Sequence, residues 1–179
     1  MQPKLFIVTG VNGIGKSTVI TELVTKLDLE RYKVHDFDER GVPDNADKGW
    51  WESETTHWLQ VAKQNAASKV TTIVCGFMKV ADIEQAMTQV QGVQVLGCLM
   101  DGTPEVIAER LMSRYQTSES LIELERTTGK TPEKFVGDNV WVSTKFREAA
   151  EEKGFNVIDT SGKSPAEVWY QANTESVSG

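Results

Sequence analysis

The run Gly10-Val11-Asn12-Gly13-Ile14-Gly15-Lys16-Ser17 constrains this chain more than any other feature. It matches G-x-x-x-x-G-K-[ST] at every fixed position, after a strand-like run (residues 5–9) and before a helical one (residues 18–27). The pattern has a physical reason. Glycines let successive backbone N–H groups turn inward around phosphate oxygens, and the N-terminus of the next helix adds positive potential. Lys16 would reach the β- and γ-phosphates of a nucleotide, and the Ser17 hydroxyl would ligate Mg²⁺. Gly10, Asn12, Gly13, Ile14, Gly15, Lys16, Ser17 and Thr18 are therefore the expected phosphate-binding residues, for ATP or GTP.

Around this loop, short apolar runs alternate with helical patterns. Residues 32–37, 70–75, 93–100 and 155–158 read as further strands. Residues 50–68, 81–91, 104–115 and 165–173 read as helices, the third opened by Pro104 in its first turn. Such alternation, with strands apolar throughout, predicts an α/β fold of three layers: a five-stranded parallel sheet with helices on both faces. The 179 residues suit one domain, and no linker divides them. Residues 116–139 break the rhythm, being polar, rich in turn residues and without a strand. They read as a mobile lid or, alternatively, as a helical piece of the core.

Composition narrows the partners. The chain has 19 Lys plus Arg against 26 Asp plus Glu, a formal net charge of −7. That balance argues against a broad nucleic-acid surface but permits a small anionic ligand held by a few local cations. Cys75 and Cys98 each sit inside an apolar run and read as buried thiols. No apolar stretch reaches the roughly 20 residues needed to cross a bilayer. Met1-Gln2-Pro3-Lys4 leads into a strand, unlike a signal peptide. The expectation is a cytoplasmic protein with no membrane partner, and nothing sets its oligomeric state.

A GTPase reading has slender support. Asp38-Glu39-Arg40-Gly41 spells D-x-x-G, and Thr160-Ser161-Gly162-Lys163 passes for a guanine-side loop, but no N-K-x-D occurs. Other motifs point elsewhere. Asp36-Phe37-Asp38 closes the second strand, Cys75-Gly76-Phe77-Met78-Lys79 ends the third, and Glu109-Arg110-Leu111-Met112-Ser113-Arg114 follows the fourth. With these motifs the chain resembles, over nearly its whole length, the small P-loop kinases: the nucleoside monophosphate kinase, shikimate kinase and gluconate kinase group.

The resemblance implies a P-loop NTPase fold and assigns roles. Asp36 would be the carboxylate on the Mg²⁺ side, and Asp38 would orient the acceptor hydroxyl or take its proton. Cys75 stands where adenylate kinases carry an acid, so the metal carboxylate falls to Asp36. Lys79 replaces an acceptor-binding Arg and loses its bidentate fork. Arg110 and Arg114, four apart on one helical face, would approach the transferring phosphate, with Arg126 and Lys130 of the lid as weaker candidates. The loop holding Thr160 and Gly162 would pass beside adenine, making ATP and Mg²⁺ the expected cofactors.

Residues 40–68 correspond to the acceptor-binding segment of that group. Three of the five tryptophans fall there within nine residues (Trp50, Trp51, Trp58), beside Arg40 and His57. Trp51 could stack a ring while Arg40 holds an anionic group; alternatively Trp51 and Trp58, seven apart on one helical face, are core. His57 reads as a surface or packing residue, and Trp141 and Trp169, on later helices, read as packing. The expected activity is transfer of the γ-phosphoryl group from ATP to a small-molecule hydroxyl acceptor, such as a nucleoside or sugar. A nucleoside monophosphate kinase is the alternative within the class; a nucleotide-binding module or slow NTPase without an acceptor is the alternative outside it.

Overall fold

The computed structural model describes residues 4–43, 46–89, 92–164, 166–168 and 171. Five strands, β1 (Lys4–Thr9), β2 (Tyr32–Asp36), β3 (Thr71–Gly76), β4 (Gln94–Asp101) and β5 (Asn156–Asp159), form one sheet. The order is β2-β3-β1-β4-β5 and every pairing is parallel. Helices α1 (Lys16–Lys26), α2 (Lys48–Ala67), α3 (Val80–Gln89), α4 (Pro104–Arg114), α5 (Ser118–Thr128) and α6 (Pro132–Glu152) connect and cover the strands. The α/β architecture with five parallel strands matches the expectation from the sequence. Part of the expected helix over 165–173, with Trp169, lies outside the described residues.

Strand β1 shows why both sheet faces must be covered. Successive side chains alternate sides, and Leu5 and Ile7 join the cluster of Trp58, Leu59, Ala62 and Ile83 from α2 and α3. Phe6 and Val8 face Val19 and Leu23 of α1 and Ile107 and Leu111 of α4. Among the described residues, no helix is long and apolar enough to cross a membrane.

Two helix starts repeat one device. Thr103-Pro104-Glu105 and Thr131-Pro132-Glu133 open α4 and α6 with a threonine cap, a proline in the first turn and an early acid. The hydroxyl accepts an otherwise unpaired N–H, and the proline lacks one that would need a partner. The segment 116–139 is helical: it holds α5 and the first two turns of α6. Leu124, Val136 and Asn139 within it are buried. Farther along α6, Ser143 and Arg147 both hydrogen-bond the Asp101 carboxylate at the end of β4.

Gly76, the last residue of β3, marks a close approach. A Cβ there would overlap the Cβ of Phe37, a fully buried residue whose N–H donates to Cys75 O at 2.8 Å. This contact seats the turn after β2 against the C-terminal edge of the sheet. Gly76→Ala is expected to cost about 1–3 kcal/mol through overpacking, seen in urea unfolding as a lower midpoint at unchanged slope.

Candidate active site

The loop between β1 and α1 turns on Gly13 (φ 78°) and Gly15 (φ 101°), conformations that a side chain would strain. Gly15 precedes α1 with no side-chain capping bond, so the first helical N–H groups remain available to an anion. The Lys16 ammonium curls back over the loop and donates to Gly10 O and Val11 O, both at 2.9 Å. Burial pushes its pKa down to about 8, opposed by the nearby charges of Asp38 and Asp36.

Two cavities flank the loop. The smaller, about 140 Å³, is lined by Asn12, Lys16, Ser17, Asp36, Asp38 and Arg114, among others. The larger, about 310 Å³, is lined by Ile14, Met100, Arg110, Thr160, Lys163 and others. Gly13, Gly15, Thr18 and Arg114 line both, so the cavities meet at the loop.

Asp36 and Asp38 come together as the D-x-D spacing suggests. The Asp38 N–H donates to Asp36 Oδ1 at 3.1 Å, and the Asp36 N–H donates to Glu39 Oε2 at 3.1 Å. Burial and then the Asp36 charge raise the Asp38 pKa above the usual carboxylate value, while Lys16 works against them. Cys75 lines the same cavity, but burial pushes its thiol pKa up, so it supplies no anion. Among the described residues no group of three His, Cys, Asp or Glu side chains could hold a metal. Mg²⁺ needs none in a nucleotide site, where a hydroxyl, one carboxylate, phosphate oxygens and water complete its shell. Ser17 and Asp36, lining one cavity, fit that donor set.

The two arginines of α4 separate in their surroundings. Arg110 donates to Thr160 Oγ1 and Thr160 O, each at 3.0 Å, and to Ile14 O at 3.4 Å. It is thus part of the wall of the larger cavity, away from Lys16 and the two aspartates. Arg114 reaches the smaller cavity. Thr160 is itself held to Asp101 O through its N–H at 2.8 Å and its hydroxyl at 3.0 Å. Gly162 is an exposed turn residue (φ 69°) and lines neither cavity.

The acceptor-side candidates disperse. Trp51 stacks on Phe37 with ring centroids 5.5 Å apart, and Trp58 is buried with its indole N–H donating to Phe37 O. Both therefore pack in the body. Lys79 is exposed just before α3, outside both cavities. Arg126 pairs with Glu123, and Lys130 with Asp138. Arg40 donates to Glu54 Oε2 at 3.2 Å.

Two residues of this neighbourhood escape sequence reasoning. Glu54 is buried on α2, and the signal was its place between Trp51 and Trp58 on an otherwise apolar stripe. Asn139 of α6 is buried and accepts, through Oδ1, from the backbone N–H and the side-chain amide of Asn12, each at 3.1 Å. It ties the phosphate loop to a helix 127 residues away in sequence, a pairing no local pattern encodes.

No protein-family model and no curated protein matches the sequence. Solved structures do resemble the fold. The crystal structure of APE1195 is 20% identical, with 99% of this chain and 97% of that one covered, at a TM-score of 0.63. A tunicamycin resistance protein from Deinococcus radiodurans is 15% identical over 97% and 95% of the chains, with a TM-score of 0.62. A gluconokinase from Sinorhizobium meliloti 1021 is 17% identical over 99% of each, with a TM-score of 0.55. The chain has the P-loop NTPase fold. In that fold the loop of residues 10–17 lies at the C-terminal edge of the sheet, where both cavities open.

Lys16→Ala should weaken ADP binding by roughly 2–4 kcal/mol, the loss of charge-assisted bonds to phosphate, as measured by calorimetry. Without metal, wild-type ADP affinity should hold steady between about pH 7, where the terminal phosphate is ionised, and about pH 8. Above that pH the ammonium loses its proton and its attraction for phosphate, so affinity should fall by up to about tenfold per pH unit. Lys16→Ala should lack this step.

Proposed function

We propose that the protein is an ATP- and Mg²⁺-dependent kinase that transfers the γ-phosphoryl group to a hydroxyl of a small molecule such as a nucleoside or sugar. One observation carries the reading: Lys16 of the phosphate loop and the carboxylate of Asp38 line a single small cavity. A module that only binds nucleotide has no use for a carboxylate of raised proton affinity beside its phosphate site. A gluconokinase among the similar folds accords with this reading.

The roles follow from position. The backbone N–H groups of residues 13–18 and the Lys16 ammonium bind the phosphates, while Arg110, Thr160 and Met100 wall the nucleoside cavity. The Ser17 hydroxyl and Asp36 would hold Mg²⁺, which when bound would supply neutralisation of phosphate charge. Asp38 orients the acceptor hydroxyl and takes its proton as the new O–P bond forms and the bond to ADP breaks. Lys16 and Arg114 offset the charge spread over the equatorial oxygens. Residues 116–131, ahead of the packed part of α6, are the segment proposed to close as a lid.

ADP release should rise severalfold over the water-only rate when an acceptor from a panel of nucleosides and sugars is supplied. Asp38→Asn should lower the acceptor-dependent kcat by about 10²-fold or more while leaving ATP affinity within about twofold. An unchanged kcat would remove Asp38 from its role. Release that no acceptor stimulates would favour a slow NTPase instead.

A further inference from the structure

Among the described residues, two buried side-chain atoms have no hydrogen-bond partner: Glu54 Oε1 and His35 Nε2. Both lie on the seam between α2 and the end of β2. His35 packs on Trp58, with ring centroids 4.7 Å apart, and Trp58 stands one helical turn beyond Glu54. A carboxylate oxygen buried without a donor is costly and unusual. Glu54 is only 5% exposed, and its charge is close enough to act on Asp38. Its second oxygen accepts from Arg40, whose side chain is half exposed and covers the pair from the solvent side.

The distribution of charge along the site bears on what can enter. Lys16 and Arg114 face the phosphate cavity, and Arg110 is bound to Thr160 and Ile14. Arg40, the cation that the sequence offers for an anionic acceptor, is already paired with Glu54. Asp36 and Asp38 line the phosphate cavity, and Glu54, which does not line it, lies close enough for its charge to act on Asp38. A phosphate or carboxylate brought beside Asp38 meets three carboxylates and an arginine that is already paired, whereas a hydroxyl meets acceptors for its proton.

We propose that Glu54 is a specificity residue of the acceptor site: its unpartnered oxygen accepts a hydrogen bond from a hydroxyl of an uncharged polyhydroxy acceptor, and Arg40 covers it until that acceptor binds. This rests on the kinase reading above and sharpens it, because a nucleoside monophosphate would be excluded by like charge.

The test is Mg·ATP-dependent ADP release with matched acceptors: ribonucleosides against their 5′-monophosphates, and hexoses against their aldonic acids and amino sugars. The uncharged member of one set should show a kcat/KM at least tenfold above its charged counterparts. Glu54→Gln, which still offers Arg40 a carbonyl oxygen, should raise KM for that acceptor about tenfold with a smaller change in kcat. It should also narrow the discrimination against the anionic counterpart by a similar factor, a shift that a merely structural role would not produce. Equal losses for both members would overturn the proposal. Should Glu54→Gln fail to fold, Arg40→Gln reads the same pair: unmasking the Glu54 charge should widen the discrimination at least threefold, and no widening would count against the idea. A wild-type preference for a monophosphate or an acid would overturn the proposal and leave the kinase reading standing. A preference for the amino sugar would overturn it too, replacing the hydroxyl partner of Glu54 with an ammonium. If no acceptor stimulates ADP release although ADP still binds, the kinase reading falls and the proposal falls with it.

Discussion

Burying the Lys16 ammonium beneath a loop of peptide carbonyls requires compensating charge nearby, because a desolvated cation without partners is expensive. Two carbonyls of its own loop, Gly10 O and Val11 O, meet it directly. Asp36 and Asp38 add negative potential across the cavity. The same desolvation that lowers the lysine's proton affinity raises that of Asp38, so one small volume holds an electrophile-binding cation and a carboxylate of increased basicity. Phosphoryl transfer needs that pairing more than it needs any covalent chemistry from the protein.

Holding those groups in place is the work of contacts far apart in sequence. Gly76 lets the backbone of β3 lie directly against Phe37, which fixes the turn between the two aspartates. Asn139 grips Asn12 from α6, and the same helix reaches β4 through Ser143, Arg147 and the buried Asp101. Asp101 O in turn positions Thr160, which holds Arg110. The floor of the site is thus a connected set of hydrogen bonds from four different elements. Rigid support of this kind limits the reorganisation needed when charge develops on a substrate.

Local patterns explain which parts of this were legible. The phosphate loop, the five strands and the D-x-D pair are written in adjacent residues whose spacing carries their meaning, and each stands where that spacing suggests. The helical character of 118–128 and 132–152 was harder to read, because polar faces and Gly137 dilute the apolar period, although Thr131-Pro132 marks a start. Arg110 illustrates another limit: its type and spacing suit a phosphate contact, yet the fold brings Thr160 within reach first. Glu54 and Asn139 owe their importance to neighbours 14 and 127 residues away. No local pattern marks Asn139, and Glu54 has only its place between Trp51 and Trp58 to set it apart.

The net charge of −7 takes on a local meaning in this arrangement. Many of the acids are exposed and paired on helix surfaces, as with Glu22, Glu52, Glu123 and Glu148, where each pair contributes little. Asp36 and Asp38 differ because they line one cavity with Lys16, and the buried Glu54 lies close enough for its charge to act on Asp38. Two cations, Lys16 and Arg114, line that same cavity, while Arg40 is tied to Glu54. Cations and carboxylates therefore face each other within one cavity beside the phosphate loop. That juxtaposition sets a strong local field at the phosphate loop before any ligand makes a specific contact.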